Sequence, residues 1–215
     1  MNICLRPYQP LDRPAIRQIC ADAADMGEPV ERIFSDREVF ADIITSYYTD
    51  FEPQSLWVAE AEGEVVGYLT GCLDSRRFLR VMIWRIAPKI LARAILRGVF
   101  LRKQTIRFLI AMLKSFRLGG FNRSIPLDKY PAHLHIDIKH DFRGKKIGQS
   151  LMERFFTQAK SSGIPGVYLT ARQDNIAACR FFERIGFSVL ARYPLVIPAI
   201  NDFQVIYSVL YVKQL

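Results

Sequence analysis

The chain has 215 residues, half of them hydrophobic and 24% charged, a balance that excludes a disordered or collagen-like chain and suits one globular domain with an elaboration. Its formal charge of +9 is concentrated: between Arg76 and Arg123 there are thirteen Lys and Arg and no Asp or Glu, so the rest of the chain is net acidic. No apolar run is long enough to span a bilayer, the first ten residues lack the regions of a signal peptide, and Cys4, Cys20, Cys72 and Cys179 are scattered as in a reducing compartment, so a cytoplasmic location is expected, with peripheral membrane association left open by the basic segment.

In chain order, residues 2–6 suggest a short strand, and Asp12 with Pro14 just inside a helix start predicts a helix to about residue 24. A second helix should enter through Ser35-Asp36-Arg37-Glu38, read as a capping box between Ser35 and Glu38. Residues 55–61 and 64–72 are apolar-rich and separated by Glu62-Gly63, a hairpin pattern. In the basic segment, Pro88 is expected to open one helix that Gly98 ends, with a second over 101–117. Residues 133–139 alternate strictly, with Leu134, Ile136 and Ile138 on one face and His133, His135, Asp137 and Lys139 on the other, which predicts a strand. A helix over 147–160, a strand over 166–171, a helix over 175–185 stopped by Gly186, and strands over 187–192 and 203–212 complete the order. The implied class is α/β, a mixed sheet with helices on both faces, residues 1–215 forming one domain into which 76–123 is inserted as a basic helical hairpin.

The strongest chemical signal is the strand over 133–139 running through Asp141-Phe142-Arg143-Gly144-Lys145-Lys146-Ile147-Gly148 into a helix. Such a turn leaves backbone N–H groups unpaired at the positive end of the helix dipole, a site for phosphate, with Gly144 and Gly148 permitting close approach and Arg143, Lys145 and Lys146 adding charge. Downstream, after one strand, comes Asn175-Ile176-Ala177-Ala178-Cys179-Arg180-Phe181-Phe182-Glu183-Arg184-Ile185-Gly186-Phe187.

Together these stretches resemble the GNAT superfamily of acetyl-CoA-dependent N-acetyltransferases. The first resembles its pyrophosphate-binding turn, R-x-x-G-x-G or A, and the second its N-x-x-A-x-x-x-Y-x-x-x-G-F helix. The resemblance covers 3–72 in element order and 132–187 in motif, leaving the basic segment outside; more loosely, residues 132–138 and 163–167 resemble the acetyltransferase-like domain of O-GlcNAcase enzymes. It implies a GNAT-like sheet, acetyl-CoA as co-substrate, and cofactor contacts from Ile138, Arg143, Gly144, Lys145, Lys146, Ile147, Gly148, Gln149, Asn175 and Phe182. Two positions depart from the pattern. Lys146 stands for the middle glycine of the turn, and Phe182 for the tyrosine that often protonates the leaving thiolate. A CoA thiolate, with a pKa near the roughly 8.5 of cysteine, needs little acid assistance.

The implied reaction is direct attack of a primary amine, its identity open, on the thioester carbonyl, polarised by an N–H near Asp137 or Ile138 where the strand must splay. A base is required, and Asp137 first, then His135, are the candidate catalytic residues. Tyr47, Tyr48, Tyr193 and Tyr207 are available to the acceptor side and as substitute acids. No metal is expected: His-x-His beside a carboxylate suits zinc, but no cysteine clusters there in the sequence. The alternatives are a catalytically weak CoA-binding module or a membrane-peripheral protein using the basic hairpin. In that hairpin Lys103, Arg107, Lys114 and Arg117 fall on one arc opposite Phe108, Met112 and Phe116, so its apolar side is expected to pack on the domain and its cations to meet solvent, an anionic membrane or an acidic partner; nucleic acid is disfavoured.

Overall fold

A computed structural model describes residues 3–122, 124–199 and 202–215; Asn2 of the first strand and Arg123 of the basic segment lie outside them. Seven strands form one mixed sheet in the order β1-β2-β3-β4-β5-β7-β6. β1 (Ile3–Pro7), β2 (Leu56–Ala61), β3 (Glu64–Cys72) and β4 (Ala132–Ile138) run antiparallel, each to the next. β4 and β5 (Gly166–Arg172) are parallel, and β7 (Phe203–Gln214) and β6 (Ser188–Pro198) close the sheet. The last two strands are longer than the apolar patterns suggest, because β6 stays paired with β7 to Pro198↔Phe203 and β7 stays paired with β5 to Gln214↔Gly166.

Helices cover both faces, as the order of elements requires. On one face α6 (Ile147–Ser161) and α7 (Ile176–Arg184) bury Ile147, Leu151, Met152, Phe155 and Phe182 against Leu134, Val167, Leu169 and Tyr211. On the other, α1 (Arg13–Asp22) and α2 (Arg37–Phe51) bury Ile16, Ile19, Tyr47 and Tyr48 against Leu56, Val58 and Tyr68. The entry to α2 is not the expected capping box: Asp36 is the cap, accepting from Val39 N at 3.1 Å, while Ser35 Oγ lies 2.5 Å from Thr105 Oγ1 of the basic segment. A carboxylate one residue later outcompetes the serine for the free amides.

The basic segment also differs from expectation. Its helix opens not at Pro88 but at Ser75, capped by Asp74, which accepts from both Arg76 N and Arg77 N. This α3 (Ser75–Val81) continues through a π-turn over Met82–Ile86 into α4 (Ala87–Leu96). Pro88 has no N–H for the preceding turn and its ring crowds the carbonyl four residues back, which accounts for the widened turn ahead of it, where Ala87 N–H bonds Met82 C=O. Gly98, at φ +62°, ends the helix as expected, and α5 (Lys103–Arg117) follows. α5 lies along the edge strand β6: Ser115 Oγ accepts from Val196 N at 2.8 Å, covering an edge that would otherwise be open.

Gly71 of β3 shows how tightly the sheet meets its helices. A Cβ there would overlap the Phe155 ring and come within 2.8 Å of Ser55 O. Gly71→Ala is therefore expected to lower the free energy of unfolding by about 1–3 kcal/mol in a denaturant titration, the usual range for an overpacked core.

Candidate active site

The site begins where a strand pair stops. β4 and β5 are joined only at Ala132↔Val167 and His133↔Tyr168, after which they diverge, whereas β4 stays paired with β3 as far as Gly67↔Ile138. Lys139 N bonds Val66 O, so alternate amides further back, those of Ile138 and Ile136, are directed away from β3 into the gap. The strand is splayed here, as the sequence reading expects.

Beyond the gap the chain passes through the turn over 139–146 into α6. Ser150 N is the first amide of α6 to find an intrahelical partner, Lys146 O, so those of Ile147, Gly148 and Gln149 precede the ladder, and no side chain caps them. Gly144 has φ +76° and Lys146 φ +62°, the left-handed region that favours glycine. The lysine thus occupies a glycine conformation, at a cost of about 1–2 kcal/mol. Gly148 meets a different need: a Cβ there would come within 3.2 Å of the Phe181 ring and 3.3 Å of Ile138 Cδ1.

A groove of about 620 Å³ runs from these amides to the gap. Ile136, Asp137 and Ile138 form its floor, Phe142, Arg143, Gly144 and Lys146 to Gln149 one wall, and Asn175, Ala178, Phe181 and Phe182 the other. Of the cofactor contacts expected from the sequence, only Lys145 is absent from this lining; its Nζ sits 4.7 Å from the Phe142 ring centroid. Arg143 is anchored, its Nε donating to Ile138 O at 3.0 Å and its guanidinium lying against Gly27, where a Cβ would come within 2.7 Å. Asn175 caps α7, Oδ1 accepting from Ala178 N at 3.1 Å, while Phe182 is both core and wall, packed on Phe187 and Tyr211.

The polar face of β4 points to α1 and α2. Asp137 Oδ2 accepts from Tyr68 OH at 2.8 Å and lies 2.9 Å from His135 Nε2. Burial works against a charged His135, but the Asp137 carboxylate outweighs it, and the imidazole is pushed up to about 10. Burial, reinforced by the same carboxylate, drives Tyr68 well above the usual phenol range. Asp137 lines the groove and His135 does not. His140, the third histidine of the cluster, points to solvent beside Asp141.

Three participants escape the sequence reading. Tyr68 lies on a neighbouring strand, opposite Asp137 in register. Cys20 comes from α1, and its Sγ, His135 Nε2 and an Asp137 oxygen all lie within 4.8 Å of one another, so a cysteine does cluster here. Arg172 pairs with Asp25 at 2.6 Å, tying the end of β5 to the loop after α1. Only the carboxylate in the turn after α1 hints at the last of these. Conversely, Tyr47 and Tyr48, offered for the acceptor side, are core residues: Tyr47 OH donates to Glu52 and Tyr48 OH faces His133 Nε2 at 3.1 Å. Neither lines the groove, and nor do Tyr193 and Tyr207.

Residues 100–187 match the family model described as the acetyltransferase (GNAT) family, a stretch that begins inside the basic segment. Among solved structures, one called SsHAT is 25% identical, with 100% of this chain and 98% of that one aligned at a TM-score of 0.73. An N-acetyltransferase from Staphylococcus aureus Mu50 is 16% identical over 100% and 99%, TM-score 0.61. The putative acetyltransferase yncA from Salmonella typhimurium, solved with acetyl-CoA, is 18% identical over 99% and 93%, TM-score 0.61.

The remaining histidine sets a pH limit. His133 is 9% exposed, with Nδ1 2.7 Å from Ser75 Oγ and the Phe78 ring edge-on at 4.6 Å. Burial lowers it to about 4, so it folds neutral. The unfolded chain, with an ordinary imidazole near 6.5, binds the extra proton, and stability present above that pH is lost as pH falls toward 4, by on the order of 3 kcal/mol. The melting temperature should fall across this window, and His133→Gln should flatten that limb while lowering stability at neutral pH.

Proposed function

We propose that the chain, whose residues 100–187 match the GNAT acetyltransferase family model, is an acyltransferase that transfers the acetyl group of acetyl-CoA to a primary amine by direct attack on the thioester. One observation supports this above others: the uncapped amides of α6 and the splayed amides of β4 line the same groove. The residues fit the co-substrate. The amides around Gly144 and Lys146 to Gln149, with the positive charge of Arg143 and Lys146, suit a diphosphate. The apolar walls of Ile138, Phe142 and Phe181 suit the pantetheine arm, and the bound thioester supplies an activated acetyl carbon.

The chain's own groups divide the work. The amides of Ile138 and Ile136, facing the gap, are placed to stabilise negative charge on the carbonyl oxygen, the sort of donor whose removal costs roughly 3 kcal/mol elsewhere. As the N–C bond forms and the C–S bond breaks, the proton leaving the amine goes to Asp137, directly or through water. His135, already an imidazolium at neutral pH, takes no proton; it and Tyr68 hold the carboxylate, and it is a positioning residue. Phe182 contributes wall and core, and the thiolate departs without an acid. The amine enters from the side of α1 and the loop after it, whose Met26 and Gly27 line the groove, and residues 1–215 act as one domain bearing the basic segment.

Thiol release from acetyl-CoA across a panel of amines tests this reading. Release is expected with the wild-type protein, and Asp137→Asn should lower kcat by about 10²-fold while leaving acetyl-CoA affinity nearly unchanged. Gly148→Leu, which fills the groove beside Phe181, should lower that affinity by at least about tenfold in calorimetry. Acetyl-CoA binding with no thiol release for any amine would leave a binding module and refute the transferase.

A further inference from the structure

The basic segment turns only part of its apolar surface inward, where Met82, Ile86, Ile90, Val99 and Phe108 pack on the domain. On α5 the fully buried residues are small or polar, Thr105 against Ser35, Ala111, and Ser115 against β6, with Phe108 and Met112 half-buried. Ile106, Leu109, Ile110, Leu113 and Phe116 are exposed, Phe116 at 64%, although the sequence reading placed Phe116 with the packed face. At about 100° per residue these five span roughly 120° of the helix surface, and Lys103, Arg107, Lys114 and Arg117 form an arc that overlaps one edge of it, Arg117 falling between Ile106 and Ile110. The preceding helix repeats the arrangement. Ile86 and Ala94 are buried, but Leu79, Ile83, Leu91 and Ile95 are exposed, with Trp84 at 76% and Leu96 at 87%.

Charge decides what could cover such a surface. Several cations of the segment are paired: Arg93 to Asp42 and Arg97 to Asp36 on the inner side, and Arg76 to Asp128 at the surface. Arg107 holds Ala199 O and Asp202 O, and Lys114 lies over the Phe203 ring. Arg80, Lys89, Lys103 and Arg117 are exposed and have no partner among the described residues, and the segment has no acidic residue to offer a second copy of itself. Self-association through this face would bring like charges together. A nucleic acid would satisfy the cations and leave the apolar stripe in water. A surface anionic on top and apolar beneath satisfies both.

We propose that the outer faces of α3, α4 and α5 form a docking surface for an anionic phospholipid bilayer, the helices lying in the interface with Trp84, Leu96, Leu109 and Leu113 among the acyl chains and Lys89, Lys103 and Arg117 at the headgroups. This goes beyond the transferase reading and does not rest on it. No helix among the described residues is long and apolar enough to cross a membrane, so the association is parallel to the surface.

Cosedimentation with vesicles tests it. The full chain should bind phosphatidylcholine vesicles that contain phosphatidylglycerol, bind pure phosphatidylcholine at least tenfold more weakly, and detach as salt rises. In a Trp57→Phe background, where Trp84 is the sole tryptophan, its emission should shift to the blue on binding. Leu109→Asp with Leu113→Asp, and separately Lys103→Gln with Arg117→Gln, should each weaken binding at least tenfold with unchanged melting temperature. Equal binding to neutral vesicles, no binding to either, or binding that both double variants leave intact would overturn the proposal. So would a concentration-dependent dimer that Leu109→Asp with Leu113→Asp abolishes without vesicle binding, which would make a second copy the occupant.

Discussion

The parting of β4 from β5 is the constraint from which the site follows. A parallel pair joined at only two positions leaves backbone donors of β4 facing open space inside an otherwise closed sheet. Buried amides without partners cost free energy, so such a gap persists only if surrounding contacts hold the strands apart or a ligand fills it. Here β4 is fixed by its full register with β3, and β5 by seven paired positions with β7. The Arg172–Asp25 ion pair secures the far end of β5 to the loop after α1, and Arg143 braces the near side by gripping Ile138 O. The gap is built from both flanks, which preorganises its donors.

The same strand places opposite chemistries on its two faces. Leu134, Ile136 and Ile138 enter the core beneath α6, and the groove that reaches them is walled by rings and aliphatic chains. Its other face carries two histidines and a carboxylate, each satisfied differently. His133 is neutral between Ser75 and Tyr48; His135 is charged against Asp137, with Tyr68 completing the carboxylate's shell. Two imidazoles two residues apart are thus displaced in opposite directions, one by burial alone, the other by a carboxylate that overrides burial.

What the sequence revealed follows from the range of each interaction. The alternation of 133–139, the glycines and lysines of the turn and the asparagine opening α7 are local patterns, and the strand, turn and capped helix appear where they indicate. Tyr68 and Cys20 are set by strand register and helix packing, which bring together positions far apart in the chain, so no spacing announces them. The misread starts of α2 and α3 have a narrower cause. Ser35, Asp36 and Asp74 are all competent caps, and the choice among them is made by distant partners: Ser35 is occupied by Thr105, Asp36 is held by Arg97 at 2.8 Å, and Ser75 bonds His133.

The outward apolar faces of α4 and α5 have a physical cause in how these helices are attached. α4 is moored to α2 by Ile90 and Ala94 and by arginines reaching Asp36 and Asp42, and α5 to β6 by a serine hydroxyl and by Gly120, where a Cβ would overlap Pro194 O. One row of apolar residues, among them Ile86, Ile90, Val99 and Phe108, fills these contacts, and the apolar residues on the remaining circumference are left to the outer face. Ion pairs such as Arg97–Asp36, whose carboxylate is almost fully buried, are strong only while both partners stay in place. A helix held in this way is fixed in orientation after burying only one side of its apolar surface, and the other side stays available to a second phase.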